Sequence, residues 1–254
     1  MAAGAALITG ASSGIGAELA KLCVSAGYAV VLVARNRAAL EDLARPWGSQ
    51  ARVLPADLAD PAAPQQIFDQ LRDTAVEILI NNAGFGVRGP FAQTDWDKER
   101  RLAQVNMLAL AHLTKLFLPP MVSRRSGRVL NVASTAAFVP GPLMALYYSS
   151  KAVVLSFSEA VANEVHGTGV TVTVLCPGPT RTGFGAAAGM EDTPLFRGPA
   201  MSAAEVARIG FDAMMAGKME VIAGRRNRWM MWSSRFAPRS VLARITRRLN
   251  SAGS

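Results

Sequence analysis

Residues 5–16 read AALITGASSGIG and join a short apolar run to three glycines spaced as GxxxGxG. The run 5–9 predicts a buried strand, and the amphipathic pattern near 15–26 predicts a helix directly after the glycines. Glycine at such a junction lets the backbone turn tightly and approach a pyrophosphate at the positive end of a helix. A tight turn without a ligand is the alternative, but the flanking strand and helix favour a dinucleotide-binding unit.

The alternation of strand and helix continues along the chain. Apolar and β-branched runs predict strands at 5–9, 28–34, 51–55, 77–81, 127–133, 169–176 and 219–223. Helical patterns lie near 15–26, 37–46, 61–73, 96–118, 148–165 and 203–216. Strands that alternate with helices form parallel sheets, and continuous apolar strands are typical of sheets covered on both faces. We therefore predict a doubly wound α/β fold with a parallel sheet of about seven strands, which binds its ligand at the carboxyl ends of the strands.

Composition limits the class of protein. A chain of 254 residues, of which 50% are hydrophobic, can bury the core of one large domain. Cys23 and Cys176 lack metal-ligand spacing, so we expect two buried free thiols, no metal site and a reducing, cytoplasmic location. The N-terminus lacks the basic region of a secretion signal, and no run of 18 apolar residues predicts a membrane span.

The positive charge is concentrated at the C-terminal end. The chain has a formal net charge of +9, and residues 221–254 contain eight arginines and no acidic residue. The first 220 residues contain 19 basic and 18 acidic residues, so the body of the chain is nearly neutral. The net charge therefore does not predict a nucleic-acid partner for the whole domain.

The second predicted strand ends in VVLVARN. A carboxylate at this point would bind the adenosine ribose 2′-hydroxyl of NAD, whereas an arginine would bind the 2′-phosphate of NADP. Ala34 stands where the acid is expected, and Arg35 follows it. The pattern favours NADP, although a solvated arginine at the start of a surface helix would look the same.

Residues 147–151 read YYSSK and contain two candidates for a proton donor. On a helix, Lys151 is at i+4 from Tyr147 and at i+3 from Tyr148, so both tyrosines lie near the lysine. Helix geometry alone therefore leaves the choice between them open.

Together these motifs resemble the classical short-chain dehydrogenase/reductase family over about residues 3–224. The matching segments are TGASSGIG (9–16), PADLAD, NNAG (81–84), QVNMLA, NVAST, Y-x-x-x-K and the Pro-Gly pair at 177–178 with the threonine that follows. The resemblance implies a Rossmann-type sheet and cofactor contacts from Gly10, Ser12, Ser13, Gly14, Ile15, Gly16, Arg35, Asp57, Leu58, Asn82, Ala83, Gly84, Tyr147, Lys151, Pro177, Gly178, Thr180 and Thr182. The catalytic set that it implies is Asn106, Ser134, Tyr147 and Lys151.

The family spacing also selects one tyrosine. Tyr147 lies four residues before Lys151 and thirteen after Ser134, as the family pattern requires, and Tyr148 fits neither distance. By resemblance, Tyr147 transfers the proton, while Lys151 favours its ionised form and binds the nicotinamide ribose. Ser134 binds the substrate oxygen, and Asn106 binds a water that links the lysine to solvent. Tyr148 is then expected to pack or to line the pocket.

The sequence differs from the family pattern in two places. Ser12 and Ser13 stand where part of the NADP-using branch has a basic residue, so Arg35 would provide most of the preference for NADP. Thr180 replaces a β-branched aliphatic residue of similar shape. Neither change alters the expected reaction, and both leave the implied cofactor as NADP.

The substrate pocket is expected to be apolar. Residues 183–199 are rich in Gly, Ala and Pro, and the resemblance makes this segment the substrate lid. Apolar residues near the predicted site are Phe85, Val87, Phe91, Phe138, Val139, Leu143 and Met144. Such a lining suits a small hydrophobic carbonyl or alcohol.

The tail beyond the shared motifs admits several interpretations. Val241, Leu242, Ile245 and Leu249 form an apolar stripe, and upstream Trp229, Trp232 and Phe236 recur at helical spacing. An arginine-rich amphipathic helix with tryptophans is typical of a membrane interface. Alternatively the stripe packs on the lid or on a partner subunit, or the arginines bind acidic partners such as the phosphates of acyl-coenzyme A.

The expected protein has an NADP-binding catalytic domain over 1–225 and a basic amphipathic extension over 226–254. Its expected activity is NADP(H)-dependent interconversion of a hydrophobic ketone or aldehyde and its alcohol, in a homodimer or homotetramer. A membrane-associated reductase of lipid or acyl-chain carbonyls is one alternative. A non-catalytic NADP sensor is another, and the intact catalytic set argues against it.

Overall fold

A seven-stranded parallel sheet forms the centre of the protein, as described by a computed structural model covering residues 3–251. The nine strands in this part of the chain are β1 (Ala3–Thr9), β2 (Tyr28–Ala34), β3 (Ala51–Pro55), β4 (Val76–Asn81), β5 (Gly127–Val132), β6 (Val170–Cys176), β7 (Thr180–Arg181), β8 (Met201–Ser202) and β9 (Glu220–Ile222). The central sheet has the order β3-β2-β1-β4-β5-β6-β9, and β7 pairs with β8 outside it. The strand order therefore reverses between β1 and β4, where such sheets bind their ligands.

Helices connect the strands and cover both faces of the sheet. They are α1 (Gly14–Ser25), α2 (Arg37–Ala44), α3 (Ala63–Gln70), α4 (Trp96–Ala103), α5 (Leu110–Ser123), α6 (Ala145–Glu164), α7 (Phe184–Ala187), α8 (Pro194–Arg197), α9 (Ala203–Met215), α10 (Arg225–Ser234) and α11 (Arg239–Asn250). In β1, Ile8 packs with α1, α2 and α9, whereas its neighbour Leu7 packs with α3, α5 and α6. This alternation follows from the two-residue period of a strand, and it explains why strands buried on both faces are apolar throughout.

The predicted doubly wound fold is confirmed. The strands of the central sheet correspond to the seven predicted runs, and their ends differ by at most two residues. The helix predicted over 96–118 continues to Ser123 through Pro119 and Pro120, because Met121 beyond the prolines is fully buried in the core.

The continuous helical run Trp96–Ser123 has 28 residues and is long and apolar enough to cross a membrane. The prediction from uninterrupted apolar runs did not identify it, because charged and polar residues break its sequence. Leu113, Phe117 and Met121 on this run pack against the sheet. Packing in the core accounts for the apolar composition of these positions.

Both cysteines are buried free thiols, as predicted. Cys23 lies in α1 and Cys176 at the end of β6, and neither side chain has exposed area. They lie in different core clusters, one beneath α1 and the other beneath α6. The pair therefore makes no disulfide.

The basic tail forms two helices that pack on the body. Pro238 directly precedes the first turn of α11, where its fixed backbone angle and missing N–H are tolerated. In the predicted apolar stripe, Val241, Leu242 and Leu249 are half-buried, whereas Ile245 is 50% exposed. The buried residues of α11 are instead the polar Thr246 and Asn250. A helical pattern indicates that a face is apolar, but the partner surface determines which residues are covered.

Candidate active site

Hydrogen bonds between Thr9 and the residues after β4 join the carboxyl ends of β1 and β4. Its Oγ1 accepts the main-chain N–H groups of Asn82 at 3.0 Å and Ala83 at 3.1 Å. In return, Asn82 Nδ2 donates to the carbonyls of Thr9 at 3.0 Å and Gly10 at 3.1 Å. Because these two strands flank the reversal in strand order, the bonds fix the floor of the ligand crevice.

The glycine turn leaves a cradle that side chains would fill. Gly10 and Gly14 have φ of +64° and +58°, a region that disfavours side chains. A Cβ at Gly10 would lie 2.7 Å from Asn82 Nδ2, and one at Gly16 would collide with the Gly10 carbonyl. The open backbone at the start of α1 therefore fits the pyrophosphate of a dinucleotide.

One cavity of about 820 Å³ runs from this cradle to the C-terminal helices. It is lined by every residue predicted to contact the cofactor except Gly16, which packs beneath the turn against Gly10 and Asn82. Ser134, Tyr147 and Lys151 of the predicted catalytic set also line it. The separate sequence motifs therefore meet at one site.

Arg35 and Asp57 line the cavity just beyond the carboxyl ends of β2 and β3. Asp57 accepts the N–H of Ala59 at 3.0 Å and a 2.9 Å bond from Arg101 Nη2. Burial alone would raise the pKa of Asp57, but these two hydrogen bonds and the nearby Arg35 charge lower it below its usual value. Sequence reasoning missed Arg101, which also lines the cavity, because the 44 residues between the partners provide no local signal.

The predicted catalytic groups occupy one wall near the middle of the cavity. Lys151 Nζ donates to the Val132 carbonyl at 2.9 Å and lies 5.9 Å from the ring centre of Tyr147. Burial lowers the pKa of Lys151 to about 8. Burial raises the pKa of Tyr147 far above its usual value, and the nearby Ser134 hydroxyl opposes this shift. Without a ligand, the phenol is therefore a protonated, buried donor.

Ser134 is oriented by the main chain around it. Its Oγ accepts the Ala136 N–H at 3.1 Å and donates to the Pro177 carbonyl at 3.3 Å. The first bond caps a short 3₁₀ helix, Thr135–Phe138, so the serine is fixed at the end of β5. The second bond connects it to the turn after β6, which carries the predicted nicotinamide contacts Pro177 and Gly178.

Asn106 lies behind the cavity wall, within a π-helical segment, Gln104–Ala109, between α4 and α5. Its Oδ1 accepts the Phe85 N–H at 3.1 Å, and its Nδ2 donates to the Phe85 carbonyl at 3.0 Å and to Ser150 Oγ at 3.1 Å. The side chain therefore fastens the loop after β4 to α6. Single π-turns within longer helices occur frequently at functional sites.

A second polar network holds α6 against the centre of the sheet. Asn81 Nδ2 donates to Asn131 Oδ1 at 2.9 Å, and Asn131 Nδ2 donates to Ser158 Oγ at 2.9 Å. These side chains are buried, and they join β4, β5 and α6 in sequence. Tyr147 and Lys151 are on the same helix, so the network fixes their position relative to the strand ends.

The far end of the cavity is mostly apolar. Phe85, Val139 and Met144 line it, whereas the other predicted pocket residues, Val87, Phe91, Phe138 and Leu143, do not. The predicted lid contains no long regular element, as expected, and forms the short helices α7 and α8. Phe184 on α7 places its ring 5.3 Å from that of Tyr147, directly over the catalytic wall.

Residues of the tail also line the cavity, and the sequence did not predict which ones. Met230 and Met231 on α10 line the cavity, as do Thr246 and Leu249 on α11. Among them, only Leu249 belonged to a feature that the sequence identified, the apolar stripe. The two tail helices therefore contribute to the wall of the cavity.

Known proteins share this arrangement. A family model described as short chain dehydrogenase matches residues 4–192. A short chain dehydrogenase of Pseudocercospora fijiensis is 37% identical over 188 residues, which is 71% of this chain but only 61% of that protein. Dehydrogenase/reductase SDR family member 7B of Mus musculus is 34% identical over 235 residues, covering 85% of this chain and 72% of that protein.

A solved structure agrees over nearly the whole chain. A short-chain dehydrogenase from Sphingobium yanoikuyae in complex with NADPH has a TM-score of 0.83 and 31% sequence identity, covering 92% of this chain and 94% of that one. The seven-stranded sheet, the glycine cradle and the Tyr147–Lys151 pair thus occur together with a family match over most of the sequence. The chain belongs to the classical short-chain dehydrogenase/reductase family.

Proposed function

We propose that the protein is an NADPH-dependent oxidoreductase that reduces a hydrophobic ketone or aldehyde to its alcohol and also catalyses the reverse reaction. One observation carries the proposal. Ser134, Tyr147 and Lys151 line the same cavity as the glycine cradle and Arg35. A cofactor held in the cradle and a substrate beneath the lid would therefore meet at the catalytic wall.

When bound, NADPH supplies the hydride. Reduction of a carbonyl builds negative charge on its oxygen, which needs a proton donor and a second hydrogen bond. Tyr147 donates the proton, and its raised pKa keeps that proton on the phenol until the oxygen accepts it. Ser134 Oγ donates to the same oxygen and orients the substrate.

Lys151 makes proton loss from Tyr147 possible. A tyrosine has an ordinary pKa of about 10, and burial raises it further, so ionisation needs a nearby positive charge. Lys151 provides that charge below a pH of about 8, where it is still protonated in spite of its lowered pKa. Asn106 keeps α6 and the loop after β4 together, and its predicted role in binding a water remains a prediction.

The preference for NADPH rests on Arg35. Its guanidinium is exposed at the cavity wall and lies near Asp57, where an adenosine ribose would bind. An arginine can bind a 2′-phosphate there, and no acidic side chain stands at the end of β2 to bind the 2′-hydroxyl of NAD. The NADPH-bound relative supports this choice, and NADPH favours reduction as the direction in the cell.

The substrate and assembly follow from the apolar surfaces. Phe85, Met144 and Phe184 would contact the hydrophobic part of a small carbonyl or alcohol substrate. Leu108, in the π-helical segment before α5, is 59% exposed, and Val153 on α6 is 49% exposed. Both side chains would be covered in a homodimer or homotetramer. The buried free thiols are consistent with a cytoplasmic location.

The experiment that tests this function is a fluorescence titration with NADPH and with NADH. A screen of aliphatic, aromatic, steroid and acyl-thioester ketones would follow, with turnover measured by NADPH absorbance. NADPH binding with turnover of an apolar ketone is the expected result. Binding without turnover across the panel would favour the non-catalytic sensor, and a failure to bind either nucleotide would refute the proposal.

A further inference from the structure

The outward side of α10 exposes large aromatic side chains. Phe236, just after the helix, is 75% exposed, and Trp229 and Trp232 on it are 67% and 57% exposed. The rings of Trp232 and Phe236 make an edge-to-face contact with centroids 5.2 Å apart. Soluble surfaces seldom leave such aromatic area in water, so a cluster of this kind marks an interaction site. We call Trp229, Trp232 and Phe236 the aromatic ridge.

Arginines that form no ion pair lie beside the ridge. Arg225 and Arg228 form a surface cleft together with Trp229 and Trp232. Within residues 3–251, no ion pair involves any of the eight arginines of the tail. On α11, Ile245 is exposed beside Arg244 and Arg248. Both tail helices thus combine exposed apolar groups with unneutralised positive charge.

The same helix faces the substrate site on its other side. Met231 on α10 is buried and lines the cavity, and Met230 lines the cavity while remaining 38% exposed. Met230 therefore lies between the aromatic ridge and the substrate end of the site. Met230 is thus the α10 residue that is both partly exposed and part of the cavity lining.

We propose that the outward face of α10 and α11 docks on the surface of a membrane that contains anionic lipids. Aromatic rings insert at the level of the headgroups, and arginines bind lipid phosphates and acidic headgroups. A second copy fits this face poorly, because a two-fold contact would bring unneutralised arginines against each other with no acid from either tail. A docked α10 would place Met230, and with it the substrate end of the cavity, against the lipid.

Docking would also affect how the substrate enters the cavity, and this consequence rests on the proposed function. An apolar carbonyl compound dissolved in the bilayer could enter past Met230 without crossing water. Docking itself depends only on the ridge and the arginines, so it is measured separately from turnover.

The test is co-sedimentation of the full chain with phosphatidylcholine vesicles, with and without about 30% phosphatidylserine. Wild-type protein is expected to sediment with the anionic vesicles and much less with the neutral ones. The triple variant Trp229→Ala, Trp232→Ala, Phe236→Ala should partition at least about tenfold less strongly, and so should Arg225→Glu, Arg226→Glu, Arg228→Glu. None of these six residues lines the cavity, so NADPH binding should stay unchanged.

Matched variants elsewhere on the surface serve as controls. Trp96 is 66% exposed at the start of α4, so Trp96→Ala removes a similar ring from the body. The triple variant Arg45→Glu, Arg72→Glu, Arg208→Glu changes the net charge as much as the tail charge variant does. Both controls should sediment like the wild type. If they lose binding equally, the attraction is non-specific and the proposed surface is wrong.

Two further outcomes would overturn the proposal. One is wild-type protein that stays in the supernatant with anionic vesicles at low salt. The other is an aromatic variant that sediments normally but has a smaller mass by light scattering, which would make the ridge a contact between copies. Turnover of a water-soluble ketone without vesicles is recorded in parallel. If turnover is absent but vesicle binding is normal, the proposed function is refuted and the docking proposal stands.

Discussion

The Tyr148 hydroxyl donates a 3.2 Å hydrogen bond to Asn250 Oδ1, joining residues 102 positions apart. Asn250 has no exposed area, and its Nδ2 donates to the Pro142 carbonyl at 3.0 Å. Its own carbonyl accepts a 3.1 Å bond from Arg88 Nη1. The end of α11 is thereby fastened beside Tyr147. The two adjacent tyrosines thus have different environments, one against the catalytic wall and the other against the tail.

Tyr148→Phe should loosen α11 without stopping the reaction. The change leaves the buried Asn250 Oδ1 without its donor, at a cost of about 1–3 kcal/mol. Hydrogen exchange should become faster in α11, and KM for bulky apolar ketones should rise while NADPH affinity stays the same. Tyr28→Phe, at a buried tyrosine in β2, is the control. Unchanged exchange in α11 would show that this bond does not hold the tail.

Tyr147→Phe should abolish turnover and retain NADPH binding. Loss of a general acid lowers kcat by roughly 10²–10⁴-fold, and the ring without its hydroxyl still fills the same space. Steady-state kinetics and NADPH titration of the two phenylalanine variants provide the comparison. Should Tyr148→Phe be the inactive one, the assignment of the proton donor would be reversed.

Arg35→Ala should weaken NADPH binding far more than NADH binding. A charged hydrogen bond contributes about 1.5–3 kcal/mol, which corresponds to a loss of roughly tenfold or more for NADPH alone. Fluorescence titration with each nucleotide measures both constants. Arg37→Ala removes a 66% exposed arginine two residues away and should affect neither. Equal losses for the two nucleotides would exclude Arg35 as the source of the preference.

Lys151 should make stability depend on pH between about 8 and its unfolded value of 10.5. Because the folded-state pKa is lowered, the unfolded chain binds more protons in this window. Stability is therefore greatest above pH 10.5 and is lost as pH falls towards 8. A difference of this size corresponds to about 3 kcal/mol.

Urea unfolding of the wild type and Lys151→Met at pH 7.5 and pH 10 measures this effect. Other groups titrate in both proteins and cancel in the difference between them. The stability of the methionine variant relative to the wild type should fall by about 2–3 kcal/mol from the lower to the higher pH. A constant difference would mean that the folded protein does not lower the pKa of Lys151.

The sequence predicted those parts of the molecule that local patterns specify. Strands buried on both faces are apolar throughout, so the central sheet could be read almost to the residue, and the glycine turn located the crevice. Arg101 and Asn250 could not be predicted, because their partners lie 44 and 102 residues away and are brought together only by the fold. Which residues of α11 are buried could not be predicted for a related reason. An amphipathic pattern does not specify which neighbour a helix meets.

The burial of both cysteines has a practical consequence. Burial raises the pKa of Cys23 to about 12 and raises that of Cys176 further, so neither forms a thiolate in the folded protein near neutral pH. Because the thiolate is the reactive species, maleimide reagents should leave the native chain unmodified. The wild-type sequence can therefore serve without change as the background for fluorophore labelling. A cysteine introduced at the exposed Ile245 would be the one site that takes the dye.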